Sequence, residues 1–97
     1  MKTFAYHPEA EDEVINALLA SHDAAAFRQM IAAALQDIVN GLMTHPLVPR
    51  TPARKCSFTK PPYSIIYAEA ANEIRVVAFP HHKRRTNYWK SRLRPPP

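Results

Sequence analysis

Ninety-seven residues fit one domain and leave no room for two, and the lone Cys56 excludes an internal disulfide or a cysteine-based metal cluster and suits a reducing compartment. The net charge of +5 is unevenly placed: residues 1–45 sum to −4 and residues 46–97 to +9, an asymmetry that points to nucleic acid or an acidic protein as partner. No apolar run of signal-peptide length follows Met1-Lys2, and none approaches the ~18 residues of a spanning helix, so the chain reads as a soluble cytoplasmic protein.

Phe4 and Tyr6 suggest a short N-terminal strand. Pro8 followed by Glu9, Glu11, Asp12 and Glu13 marks a helix start, because proline has no N–H to lose in the first turn and acids favour the positive end of the helix. Ala10, Val14, Ala17 and Leu18 then share one helical face, which predicts an amphipathic helix over about residues 8–20. Ser21-His22-Asp23 forms a turn in which Asp23 caps the next helix. In that helix Phe27, Ile31, Ala34, Leu35, Ile38 and Leu42 keep the helical period until Gly41 and Pro46 end it. So short a connection makes the two helices antiparallel.

Pro46, Pro49 and Pro52 make residues 44–53 a connecting loop. Lys55–Thr59 reads as a strand broken by Pro61-Pro62. Tyr63–Glu69 and Glu73–Phe79, rich in β-branched and aromatic residues, read as two more, joined by a turn at Ala70-Ala71-Asn72. A last short helix is expected from about Thr86 to Leu93, followed by a tail, Pro95–Pro97, that cannot continue it. The order β-α-α-β-β-β-α is α+β. It predicts a single domain, residues 1–94, with an antiparallel helical hairpin on one face of a small antiparallel sheet.

The segment from Phe79 to Arg92 leaves a strand and enters the last helix, where a scaffold presents reactive groups. It gathers His81, His82, Lys83, Arg84, Arg85, Tyr88, Trp89, Lys90 and Arg92. Arginine pairs bidentately with phosphate and aromatic rings stack on bases, so this composition suits RNA or DNA. Trp89 is expected to anchor the last helix in the core. Strand alternation turns one histidine of the pair inward and one outward, and a histidine among cations is a candidate proton acceptor. No acid or thiol stands at ligand spacing from the histidines, so neither a metal nor another cofactor is expected. A chain with one glycine has neither a nucleophile elbow nor a phosphate-cradling glycine loop.

This C-terminal run resembles the signature of the RelE/ParE superfamily of bacterial toxins, many of which read His-x-x-Arg-x-Pro-x-Tyr-Trp-x-x-Arg. His81, Arg84, Tyr88, Trp89 and Arg92 match it, and Thr86 stands where proline is usual. Upstream, Pro62, Tyr63, Ile65 or Ile66, and Tyr67 are similar to a Phe-Pro-Tyr-x-Ile-x-Tyr pattern, with Pro61 in place of the phenylalanine. Pro8, Ala10 and Glu13 match a Pro-x-Ala-x-x-Glu helix opening, so the likeness spans nearly the whole chain.

The resemblance implies the toxin of a type II toxin–antitoxin system, wrapped by a cognate antitoxin. Its target would be mRNA in the ribosome, cleaved by the toxin, or DNA gyrase, inhibited by binding alone; a non-toxic binding module of the same fold is the third reading. For cleavage, the expected catalytic set is His81, Arg84 and Tyr88, with His81 or Tyr88 as base or acid. The expected nucleic-acid contacts are Arg54, Lys55, Lys60, Lys83, Arg85 and Arg92.

Overall fold

The computed structural model describes residues 2–42 and 44–93, so the expected proline tail, Pro95–Pro97, lies outside the described residues. Strand β1 (Thr3–Tyr6) leads into helices α1 (Pro8–Leu19) and α2 (Ala24–Val39). Strands β2 (Ala53–Ser57), β3 (Ser64–Glu69) and β4 (Glu73–Ala78) follow, and a 3₁₀ turn at Lys90–Leu93 comes last. This is the expected α+β order. Among the described residues, no helix is long and apolar enough to cross a membrane.

The helix ends are set by local hydrogen bonds. His7 Nδ1 accepts from the Glu9 N–H at 3.1 Å to open α1, with Pro8 in its first turn. Asp23 Oδ1 accepts from the Ala26 N–H at 3.0 Å to open α2, as its position predicts. Helix α2 closes on Gly41, which takes φ +69°. The Gly41 N–H then bonds to the Ile38 carbonyl at 3.1 Å and the Leu42 N–H to the Asp37 carbonyl at 3.0 Å. This is a Schellman closure, available to glycine because it carries no Cβ. It takes the chain off the helical path before Leu42, which is 70% exposed instead of completing the apolar stripe.

The sheet order is β1-β4-β3-β2. The β2–β3 and β3–β4 pairs are antiparallel, but β1 runs parallel to β4, so the sheet is mixed where an antiparallel one was expected. β2, β3 and β4 form a meander through short turns. The whole helical hairpin intervenes between β1 and that meander, and a connection of this length permits parallel pairing.

Apolar residues cover both faces of the sheet. On one face Ala10, Ala17, Phe27, Ile31, Leu35 and Ile38 of the helices pack on Ile65, Tyr67, Ile74, Val76 and Phe79. Each large side chain buried there stabilises the fold by roughly 1.5–3 kcal/mol before entropy costs. On the other face Ala53, Ile66, Val77 and Ala78 are closed off by Trp89, which is 3% exposed and so is the core anchor expected of it.

A β-bulge in β4 decides what the C-terminal loop presents. Ile66 pairs with Ala78 and Tyr67 with Val76, which leaves Val77 as an extra residue. The inserted residue reverses the alternation beyond it. Phe79 therefore lands on the helix side, stacked on Tyr63 with ring centroids 5.0 Å apart and 5.8 Å from Phe27. His81 follows it, edge-on to Tyr63 at 5.0 Å, while His82 turns to the open face. The expected helix from Thr86 is reduced to the terminal 3₁₀ turn, because Asn87 adopts φ +60°, which a continuous right-handed helix excludes.

Candidate functional site

The open face of the sheet carries a small groove of about 80 Å³ beside the C-terminal loop. Strand register supplies one wall. Lys55 lies opposite Ile66 and Ser57 opposite Ser64, so these side chains share the face away from the helices. The loop supplies the other wall with His82, Arg84, Arg85 and Asn87. His82 is held by its Nε2, 3.1 Å from the Tyr63 carbonyl oxygen and 3.1 Å from Ser64 Oγ. A carbonyl can only accept, so Nε2 is the donor here, and in the neutral ring the lone pair is then on Nδ1. Ser64, fully buried, stands 3.1 Å from Ser57 Oγ and extends the chain of hydrogen bonds to the strand edge.

His81 lines the groove as well but faces the helix side, with its Nδ1 accepting from the Lys83 N–H at 3.0 Å. The Arg84 N–H bonds back to the His81 carbonyl at 2.9 Å, which makes the loop a tight turn. Its cations have no carboxylate beside them among the described residues. Among the described residues, the Lys and Arg side chains that pair with a carboxylate within 4.0 Å are Arg75 and Arg92; Lys55, Lys83, Arg84 and Arg85 do not. A concave site with uncompensated cations attracts and holds anions.

Arg92 belongs to a different constellation. Its Nη1 and Nη2 each donate to Glu13 at 3.1 Å, Nη1 also donates to the Val77 carbonyl at 3.1 Å, and Nε faces Glu9 at 3.0 Å. With its side chain 9% exposed, Arg92 ties the C-terminal turn to α1 and does not offer its charge to an outside phosphate, contrary to the sequence expectation. The Tyr88 hydroxyl donates to Glu13 Oε2 at 2.7 Å. Burial, this hydrogen bond and the Glu13 charge push the Tyr88 phenol well above its usual range, against a smaller opposing effect of Arg92 and Arg84. The Tyr88 proton is thereby engaged with Glu13 inside the folded chain. Its ring carries the Arg84 guanidinium, 4.2 Å from the centroid. Burial works against the Glu13 charge, but hydrogen bonds from Arg92, the Phe79 N–H and Tyr88, with the charge of Arg92, outweigh it and hold the carboxyl below its usual range.

The remaining expected contacts scatter. Arg54 sits on the helix side of β2, where its Nη1 donates to the His45 carbonyl at 2.6 Å. His45 in turn meets the buried Tyr67 hydroxyl at 2.8 Å, and burial together with Arg54 disfavours its protonation. Lys60 lies at the far end of the helical hairpin, beside an apolar cavity of about 420 Å³ with Phe27, Met30 and Tyr63. Lys83 is exposed at the tip of the loop. The structure thus brings together Lys55, His81, His82, Arg84 and Arg85, and adds Ser64, which nothing in its sequence context distinguishes from an ordinary strand serine.

Among the described residues, no three His, Cys, Asp or Glu side chains are grouped to hold a metal ion. A scan against protein-family models and a search of curated proteins return no match to this chain.

Proposed function

We propose that this protein is a RelE/ParE-like toxin of a type II toxin–antitoxin system, acting in the cytoplasm by cutting mRNA on the ribosome and restrained by a cognate antitoxin. The observation that carries the reading is the set of cations with no carboxylate partner among the described residues, Lys55, Arg84 and Arg85, around the His82 groove on the open sheet face. In the proposed reaction the 2′-oxygen attacks the adjacent phosphorus and its proton passes to His82 Nδ1. The bond to the 5′-oxygen breaks, and that oxygen takes a proton from solvent, because His81 Nδ1 already accepts the Lys83 N–H. The products are a 2′,3′-cyclic phosphate and a 5′-hydroxyl. Positioned cations offset the charge gathered on phosphorus, and general acid–base groups contribute typically ~10²–10⁴-fold each. The fold agrees with the one the resemblance implies, and the matched residues His81, Arg84 and Tyr88 lie in one loop.

A gyrase-binding toxin is the second reading. The engagement of Tyr88 with Glu13 favours it, because this leaves a thinner acid–base set and binding alone needs none.

Brief expression without the antitoxin, with mapping of new 5′ ends on translated messages and a supercoiling assay on purified gyrase, separates the two. Cuts within codons that vanish in His82→Ala and Arg84→Ala are expected. Uncut messages together with lost supercoiling would transfer the assignment to gyrase. Unimpaired growth at full expression would leave only a binding module.

A further inference from the structure

We propose that Glu13 is a positioning residue for Arg84, acting through the Tyr88 ring so that the guanidinium is held ready for an anionic ligand. The proposal rests on the phosphate-binding reading above for the identity of that ligand, and on geometry alone for the rest.

Glu13 lies mid-helix in α1, 75 residues from Tyr88 and 79 from Arg92 in sequence. Both of its oxygens are saturated. Oε1 accepts from the Phe79 N–H at 3.0 Å and from Arg92 Nη1 at 3.1 Å; Oε2 accepts from the Tyr88 hydroxyl at 2.7 Å and from Arg92 Nη2 at 3.1 Å. Two consequences follow. The carboxylate charge is spent on Arg92, so it does not neutralise Arg84. The Tyr88 ring is fixed at its hydroxyl end, and its face then offers the exposed Arg84 a seat 4.2 Å from the centroid. A long, exposed arginine otherwise samples many rotamers, and the cation–π contact selects among them before a ligand arrives. Glu13 also grips the Phe79 N–H, where β4 runs out into the loop, so one carboxylate fixes both the root of the loop and the ring that seats its arginine.

A simple staple between α1 and the C-terminal turn would stabilise the fold without affecting Arg84, and the two roles separate spectroscopically. A guanidinium over an aromatic face carries an upfield ring-current displacement of the Arg84 Hδ and Hε resonances. These are to be measured by NMR on the full chain without nucleic acid, taking Tyr88→Leu as the zero. The expected result is a clear displacement in the wild type, lost in Glu13→Gln and at least halved in Tyr88→Phe, which keeps the ring and removes one hydrogen bond. No displacement in the wild type, or an undiminished one in Tyr88→Phe, overturns the proposal. Should Glu13→Gln not fold, Tyr88→Phe decides alone.

A second arm titrates a single-stranded RNA oligonucleotide against salt. Loss of one seated phosphate contact in Tyr88→Phe flattens the log–log slope by about 0.7. A wild-type slope in Tyr88→Phe, with Arg84 shown to be unseated, would refute the anion half of the proposal. Because the first arm contains no RNA, failure of the toxin reading and failure of this one are distinguishable.

Discussion

Arg84 and Arg92 stand eight positions apart in one basic run and are set to opposite uses by what each meets. Arg84 has an aromatic ring beneath it and no carboxylate, so Arg84→Ala is expected to weaken binding to single-stranded RNA and to flatten its salt dependence by about 0.7 in slope. Arg92 is bound to Glu13 and Glu9. Arg92→Ala is expected to cost roughly 1.5–3 kcal/mol in urea unfolding, because it strips charged hydrogen bonds from a part-buried carboxylate. Its effect on RNA is expected only through the fold. Glu13 itself links the fold to acid. Its carboxyl is held below the unfolded value, so the stability it contributes is fully present above the unfolded pKa and is lost as pH falls through the folded one. Urea midpoints taken from pH 7 down to pH 2 are expected to fall less steeply in Glu13→Gln than in the wild type. Parallel curves would show that Glu13 makes no such contribution.

At the scale of elements, most of the architecture is legible in the sequence because it rests on periodicity. The spacing of Ala10, Val14 and Ala17, and of Phe27, Ile31, Leu35 and Ile38, fixes two helices and their buried faces, and the strand segments stand out by their β-branched and aromatic content. What escapes the pattern is set by backbone geometry at single residues. The closure at Gly41 removes Leu42 from its stripe, and the left-handed Asn87 dissolves most of the last helix. The parallel placement of β1 depends on a crossover whose direction no local pattern records. The candidate site was legible as composition and not as arrangement. Arg54 and Lys55 are neighbours in sequence on opposite faces, and the orientation of His81 and His82 depends on the extra residue at Val77. Deleting Val77 tests this directly. Removing the extra residue makes the Ile66–Ala78 and Tyr67–Val76 pairs consecutive and keeps Phe79 on the helix side, so the expected cost is that of losing one buried valine, about 1.5–3 kcal/mol. A deletion variant that loses as much as a core phenylalanine truncation, about 3–5 kcal/mol, would show that the bulge does not set the alternation.

Over the whole molecule, the acidic helices and the basic C-terminal half are separated by the sheet's own layering. The helices cover one face. The other is closed in its centre by Trp89 and left charged at its rim, where Lys55 from β2 meets the loop leaving β4. On the proposed function, this open face receives the phosphates of RNA. This is tested most directly by following backbone and side-chain resonances of the full chain as a single-stranded RNA oligonucleotide is added at low salt. Perturbations are expected to concentrate at Lys55, Ser64 and His82 to Asn87, and to weaken with added salt. Perturbations confined to α1 and α2, or none at these residues under saturating RNA, would contradict it.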